Sequence, residues 1–269
     1  APDAVSRARF SAQRERSIGI GALGFHAYLQ KKHLPWECAM AKVTNNRIFS
    51  HIRSKVDEAN LQLGSERGEA PDAEGTGRRF SHTMAIAPNA SSSIIMGNTS
   101  PSIEPLRANA YRQDTLSGAF LNKNKYLDAI ITTECEAQKR DYDEIWSSII
   151  ANDGSVQHLK WMEENDREVF KTAMEIDQRW IIEHAADRQV YLDQSQSLNV
   201  FFRPDTNIVY LHTVHFLAWK KGVKTMYYCR SEKLGKADKV SKRIERQVIK
   251  EIDLTAVIDD DGECLACEG

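Results

Sequence analysis

At 269 residues the chain is long enough for one large domain or two small ones, and its 41% apolar share supports a substantial core. A formal net charge of −2 argues against a dedicated nucleic-acid binder, which carries a basic face, and no apolar run is long enough to span a bilayer. The five cysteines, Cys38, Cys135, Cys229, Cys264 and Cys267, are odd in number and scattered, so they are not a secreted disulfide framework and point to a reducing cytoplasm. The start, Ala1-Pro2-Asp3-Ala4, has neither the basic nor the apolar region of a signal peptide and no initiator methionine. A processed protein, a trimmed chain and a piece of a longer one all stay open.

In chain order, residues 11–33 read as a helix with an apolar stripe through Ile18, Ala22, Phe25 and Leu29. A second helix is expected from Trp36 to Leu63, ending at Gly64, where glycine suits a left-handed cap. Gly68 to Arg79, rich in glycine and charge, reads as a loop. Ser81 to Ala87 looks like a short buried strand stopped by Pro88, and Tyr126 to Arg188 is mostly helical, with a loop around Asn152-Asp153-Gly154. Ser197 to Arg203 reads as a strand, Pro204-Asp205-Thr206 as a stop and N-cap, and Ile208, Leu211, His215 and Trp219 recur at helical spacing. Gly222 ends that helix and Val223 to Tyr228 is a second strand. Strand, crossover helix and strand make a βαβ unit, which implies parallel pairing and an α/β fold whose chemistry collects beyond the carboxyl ends of the strands. The chain divides into residues 1–230 and a charged segment and tail, 231–269.

Three short stretches carry chemistry, each beside a plainer reading. Pro88-Asn89-Ala90-Ser91-Ser92-Ser93 follows a strand, and its small residues would let backbone N–H groups and hydroxyls approach a phosphate or diphosphate. An ordinary polar turn capping a helix is the commoner outcome. Tyr227 and Tyr228, adjacent on a strand, should point to opposite faces, one in the core and one at the surface. The alternative is redox: tyrosine can lose an electron and a proton together and so relay a radical. Cys264-Leu265-Ala266-Cys267 follows Asp259-Asp260-Asp261-Gly262-Glu263 at the C-terminus. No second CxxC exists and His212 and His215 sit on a helix that looks like core, so a zinc site is disfavoured and no metal is expected. A redox dithiol on a flexible arm fits better, its thiol pKa values raised by the acidic neighbours. Gly19-Ile20-Gly21-Ala22-Leu23-Gly24 matches a dinucleotide fingerprint, but charged Gln13-Arg14-Glu15-Arg16-Ser17 precedes it where a strand is required. Those glycines read as close helix packing.

Together these stretches resemble one family. The strand ending in Pro88 and Ser91-Ser92-Ser93, followed by Ser102-Ile103-Glu104-Pro105, is similar to the substrate-diphosphate loop of the large, catalytic subunit of class I ribonucleotide reductase. Asp193-Gln194-Ser195-Gln196-Ser197-Leu198-Asn199 resembles the family's stretch before a late barrel strand. Gly222-Val223-Lys224-Thr225-Met226-Tyr227-Tyr228 resembles the strand of its radical-relay tyrosines, and Gly262-Glu263-Cys264-Leu265-Ala266-Cys267 its shuttle cysteines. The resemblance covers nearly the whole chain. It implies the second half of a ten-stranded α/β barrel, helix-rich, with a flexible C-terminal tail.

By that resemblance Pro88, Asn89, Ala90, Ser91 and Ser92 bind the diphosphate of a ribonucleoside diphosphate. Tyr227 and Tyr228 transfer a radical from a small, metal-containing subunit, and Cys264 and Cys267 shuttle electrons from thioredoxin or glutaredoxin. Asn89 and Ala90 stand where some relatives have hydroxyl or acidic residues. The family's Asn-Leu-Cys-x-Glu loop, which carries the thiyl-radical cysteine, has no counterpart here, since Cys135 lies between Glu134 and Glu136. The dithiol pair and the ATP/dNTP effector region are also missing. The chain is therefore expected to bind no cofactor, to need an N-terminal fragment of the large subunit, and to be inactive alone. The rival reading is a non-catalytic module that binds the small subunit.

Overall fold

The computed structural model describes residues 3–115 and 118–231, all within one compact unit. The helices are α1 (Ser6–Glu15), α2 (Phe25–Lys31), α3 (Ala39–Arg67), α4 (Ala90–Ile95), α5 (Lys125–Gln138), α6 (Tyr142–Ala151), α7 (Glu164–Val169), α8 (Gln178–Gln189) and α9 (Ile208–Lys220). The strands are β1 (Ala110–Thr115), β2 (Gly118–Lys123), β3 (Val200–Phe202) and β4 (Cys229–Ser231). β1 and β2 form an antiparallel hairpin that the sequence reading did not anticipate. Among the described residues no helix is long and apolar enough to cross a membrane.

The architecture is α/β: four extended segments lie side by side in sequence order, separated along the chain by helices. Ile18 N and Ile20 N donate to His82 O and Thr83 O at 3.0 and 2.8 Å. Ile86 N donates to Ser195 O and Ser197 N to Ile86 O at 3.1 and 2.9 Å. Tyr227 N donates to Leu198 O at 2.8 Å and Val200 N to Tyr228 O at 3.0 Å. The pairings Ile20↔Met84, Ile86↔Gln196 and β3–β4 are all parallel. The expected strand over Ser81–Ala87 is thus an extended segment bonded on both sides, with regular pairing only at Met84 and Ile86. β4 likewise begins at Cys229, after the expected strand over Val223–Tyr228 has ended.

Two cores form. Phe25, Leu29, Trp36, Phe49, Met84 and Phe201 anchor the one under the parallel strip. Leu127, Ile131, Trp146, Ile149 and Phe170 anchor the other, beneath the hairpin.

Several local expectations are corrected. The helix over 11–33 is broken: Arg16 turns left-handed at φ 51° to end α1, and α2 restarts only after Gly24 at φ 82°. The intervening segment joins the sheet because Gly19 and Gly21 let it approach Ala85. A Cβ on Gly21 would lie 2.6 Å from Ala85 O, so these glycines serve strand packing rather than helix packing. α3 runs past Gly64 to Arg67, and Gly68, at φ 80°, follows its end. Gly64 is buried mid-helix because a Cβ there would meet Gly77 O at 1.9 Å. Arg16 and Arg79 donate at 2.7 Å to Glu69 O and Arg67 O, placing two cations at the negative end of the long helix.

The α9 N-cap is Asn207, whose side chain accepts from Val209 N at 2.8 Å, rather than Pro204-Asp205-Thr206. Val214 and Ala218 face the core, whereas Ile208 is 72% and Trp219 73% exposed. The stripe read from Ile208 and Trp219 is therefore a solvent face, on which Phe216 meets the rings of His212 and Trp219. His212 is exposed, not core.

Candidate functional site

The loop comes first, because the sheet aims it. Met84 and Ile86, 1% and 4% exposed, hold the segment that runs into Pro88. Asn89 then turns left-handed at φ 51°, and Ala90 starts α4. The Asn89 side chain caps nothing, so the first-turn N–H groups of Ala90, Ser91 and Ser92 have no intrahelical acceptor. The exposed Ser91 and Ser92 hydroxyls have no hydrogen-bond partner among the described residues. Ser93 instead turns inward, donating from Oγ to Ala90 O at 2.6 Å. Beyond α4 the chain is fastened to the hairpin, Tyr111 Oη donating to Asn98 Oδ1 at 3.1 Å. A short rigid turn with outward donors can receive an anion. The plainer reading, a turn leading into a helix, describes the same geometry.

Asp193 steadies the segment that feeds this loop. Its Oδ2 accepts from Thr83 N, Thr83 Oγ1 and Met84 N at 2.8, 2.8 and 3.1 Å, and Oδ1 accepts from Arg53 at 2.7 Å. Burial alone would raise this carboxyl, but the bonds from Thr83, Met84 and Arg53 outweigh it and hold the pKa at about 2. Deeper in, Arg188 is wholly buried between the rings of Phe25 and Phe49, its pKa pushed down by burial to about 9. It donates to Gln196 Oε1 at 2.7 Å, and Gln196 pairs with Ile86 two residues before Pro88.

The tyrosines depart from expectation. Tyr227 and Tyr228 are 52% and 49% exposed, and their ring centroids are 4.1 Å apart with planes at 48°. They lie together rather than on opposite faces, just before the regular strand that starts at Cys229. The adjacent Tyr228 phenol raises the Tyr227 phenol pKa. The Arg230 guanidinium lies 4.7 Å from the Tyr228 ring centre.

Asn199 and Glu104, which sequence reasoning quoted within motifs but gave no role, meet here. Asn199 Oδ1 accepts from Tyr228 N at 3.0 Å and its Nδ2 donates to Glu104 Oε1 at 2.6 Å. Burial raises the Glu104 pKa, against the opposing pull of Asn199, Arg230 and Arg107. The available signal was a polar residue held between apolar neighbours: Glu104 after Ile103, Asn199 between Leu198 and Val200.

The structure thus links the tyrosines to Glu104, and the loop to Asp193 and Gln196. Cys264 and Cys267 lie outside the described residues. Cys38, Cys135 and Cys229 are free thiols, and no group of three or more His, Cys, Asp or Glu side chains suited to a metal occurs among the described residues. A cavity of about 450 Å³ lined by Gln30, His33, Tyr126, Trp161 and Asp166 lies apart from both loop and tyrosines.

Comparison with known proteins agrees with this geometry. Residues 2–76 and 70–229 match the family described as ribonucleotide reductase, barrel domain. The chain is 58% identical over 243 residues to a ribonucleoside-diphosphate reductase large subunit of Invertebrate iridescent virus 6, covering 90% of this chain and 25% of that protein. It is 50% identical over 269 residues to the large subunit of Invertebrate iridescent virus 3, covering 100% of this chain and 41% of that one. Among solved structures, the Actinobacillus ureae class Id ribonucleotide reductase alpha subunit superposes with a TM-score of 0.75 at 39% identity, over 83% of this chain and 40% of that chain. The chain therefore spans well under half the length of these relatives. With its parallel segments in barrel order and a family match over most of its length, the chain belongs to the ribonucleotide reductase barrel-domain family.

Proposed function

We propose that this chain is the C-terminal part of a ribonucleoside-diphosphate reductase large subunit and works only when joined by the N-terminal part. The single observation that carries the reading is the tyrosine pair, two phenols in ring contact at the protein surface. Packing alone gives no reason to keep two large polar rings half in water, whereas a relay needs one phenol within reach of the next and open to a partner. The diphosphate of the substrate would bind at Pro88 to Ser92 through main-chain N–H groups and the two serine hydroxyls. Tyr227 and Tyr228 would pass a hydrogen atom's worth of oxidation from a small subunit's metal-radical cofactor to a cysteine on the N-terminal part. There, a dithiol would supply two electrons to replace the 2′-hydroxyl by hydrogen, releasing water. Cys264 and Cys267 would then reduce the resulting disulfide by thiol–disulfide exchange, and thioredoxin or glutaredoxin would reduce them in turn. ATP and dNTP effectors would act on the N-terminal part.

The exposed apolar face of α9, through Ile208, Phe216 and Trp219, supports docking of a partner subunit close in sequence to the tyrosines. The test is reconstitution. The chain, an N-terminal large-subunit fragment and a small subunit are mixed and assayed for reduction of a ribonucleoside diphosphate. Activity is expected only with all three. Stable binding of the small subunit with no reduction in any reconstitution would favour a non-catalytic binding module.

A further inference from the structure

The contact between Tyr227 and Tyr228 needs a cause, because a β-strand separates neighbouring side chains onto opposite faces. The backbone bonds supply one. In a parallel ladder, a residue bonds to the positions before and after its partner on the adjacent strand. Val200 pairs with Cys229, and Val200 N duly donates to Tyr228 O at 3.0 Å. Continued back by two residues, the same ladder would place Tyr228 N on Leu198 O. That acceptor is taken instead by Tyr227 N at 2.8 Å. The chain has slipped by one residue, as in a β-bulge, where the extra residue re-aims a side chain and leaves one backbone group without a ladder partner. The group left over is Tyr228 N, and Asn199 Oδ1 accepts it at 3.0 Å. Asn199 is only 3% exposed, and its amide is oriented by the bond from Nδ2 to Glu104 Oε1 at 2.6 Å.

We propose that Asn199 is a positioning residue: by accepting Tyr228 N it holds the one-residue slip that brings the Tyr227 and Tyr228 rings side by side. Its bulk is not the point, since alanine there would fill less space but leave the slipped N–H with no acceptor. Without Asn199 the ladder can return to register, with Tyr228 N on Leu198 O, and that shift turns the two rings to opposite faces. For the proposed relay, on which the functional side of this inference rests, the slip matters because one phenol O–H must break as the other forms. Proton and electron then pass between two oxygens with no other reactant consumed.

The experiment uses the full chain in the reconstituted complex. All tyrosines are replaced by 3-fluorotyrosine, and the two fluorine resonances are assigned by their loss in Tyr227→Phe and Tyr228→Phe. In the unaltered chain, ionising one phenol should shift the other's resonance; in Asn199→Ala that coupling should be lost while thermal unfolding stays cooperative. Nucleotide reduction and consumption of the small-subunit radical should fall about a hundredfold in Asn199→Ala, the scale of a displaced reacting group. Asn199→Asp keeps the acceptor for Tyr228 N but sets a second carboxylate against Glu104, which otherwise faces Arg107 and Arg230. The two carboxyls can hydrogen-bond only by sharing a proton, so turnover of Asn199→Asp relative to the unaltered chain should recover as pH is lowered. Coupled phenols in Asn199→Ala would overturn the proposal, as would undiminished nucleotide reduction by that variant. Turnover in Tyr228→Phe would overturn the relay reading, and the fluorine coupling would still decide the positioning role.

Discussion

Asp193→Asn tests whether one carboxylate fixes the segment that feeds the Pro88–Ser92 loop. Its side chain is 19% exposed and takes four hydrogen bonds, three on Oδ2 from Thr83 and Met84 and one on Oδ1 from Arg53. The carboxyl is held at about 2 against an ordinary 3.8. A shift of that size corresponds to about 2 kcal/mol of folding stability at neutral pH, at roughly 1.4 kcal/mol per pH unit. Because the folded-state pKa is depressed, this stability is fully present above the unfolded value near 4 and is lost as pH falls through 2. Asparagine keeps the shape and cannot ionise. The variant should therefore be about 2 kcal/mol less stable at pH 7, and the difference should shrink to about half by pH 3. Urea titrations followed by tryptophan fluorescence at a series of pH values measure both quantities, with the urea dependence checked for equality between the two proteins. A difference that does not change with pH, or one below about 0.5 kcal/mol at neutrality, the range of ordinary surface substitutions, would refute the reasoning.

Four further outcomes follow from the same geometry. Tyr227→Phe and Tyr228→Phe should each fold and assemble normally but reduce no nucleotide, with the small-subunit radical persisting in electron paramagnetic resonance. If the rings only pack, the loss is one hydrogen bond, about 0.5–1.5 kcal/mol, and activity survives. Cys264→Ser or Cys267→Ser should abolish multiple turnover with thioredoxin yet permit a single turnover, and unchanged steady-state rates would exclude the shuttle. Gly64→Ala should destabilise α3 by about 1–3 kcal/mol, since its Cβ would overlap Gly77 O at 1.9 Å and the loop must move, as thermal unfolding would show. The chain without an N-terminal partner should self-associate through the open edge at Ile18–Ile20, and a monodisperse monomer in sedimentation that reduces nucleotides unaided would contradict this.

The α/β class, the parallel βαβ unit (though its second strand starts at Cys229, past the expected Val223–Tyr228) and the helical run from Tyr126 were legible in the sequence. Each depends on short-range periodicity and on punctuation such as Pro88, Gly154 and Gly222, which act through local backbone sterics. The family was legible too, because several distinct stretches occurred in one order. What the sequence could not decide was set by partners far along the chain. Ile18 and Ala22 fit a helical stripe, yet Gly19 and Gly21 leave room for Ala85, and sheet hydrogen bonds outweigh a marginal local preference. Gly64 carried a helix-end signal, but Gly77, brought there by the following loop, requires the missing Cβ in mid-helix. Trp219 fits an inward stripe by spacing, and only the packing of α9 on Val214 and Ala218 turns it to solvent. The tyrosine contact is the sharpest case. The adjacency of Tyr227 and Tyr228 is written in the sequence, but alternation along a strand would part them. Their contact exists because Asn199, 29 residues earlier and anchored to Glu104, accepts a backbone N–H that the ladder has displaced, and such long-range hydrogen bonds form only once the chain has folded.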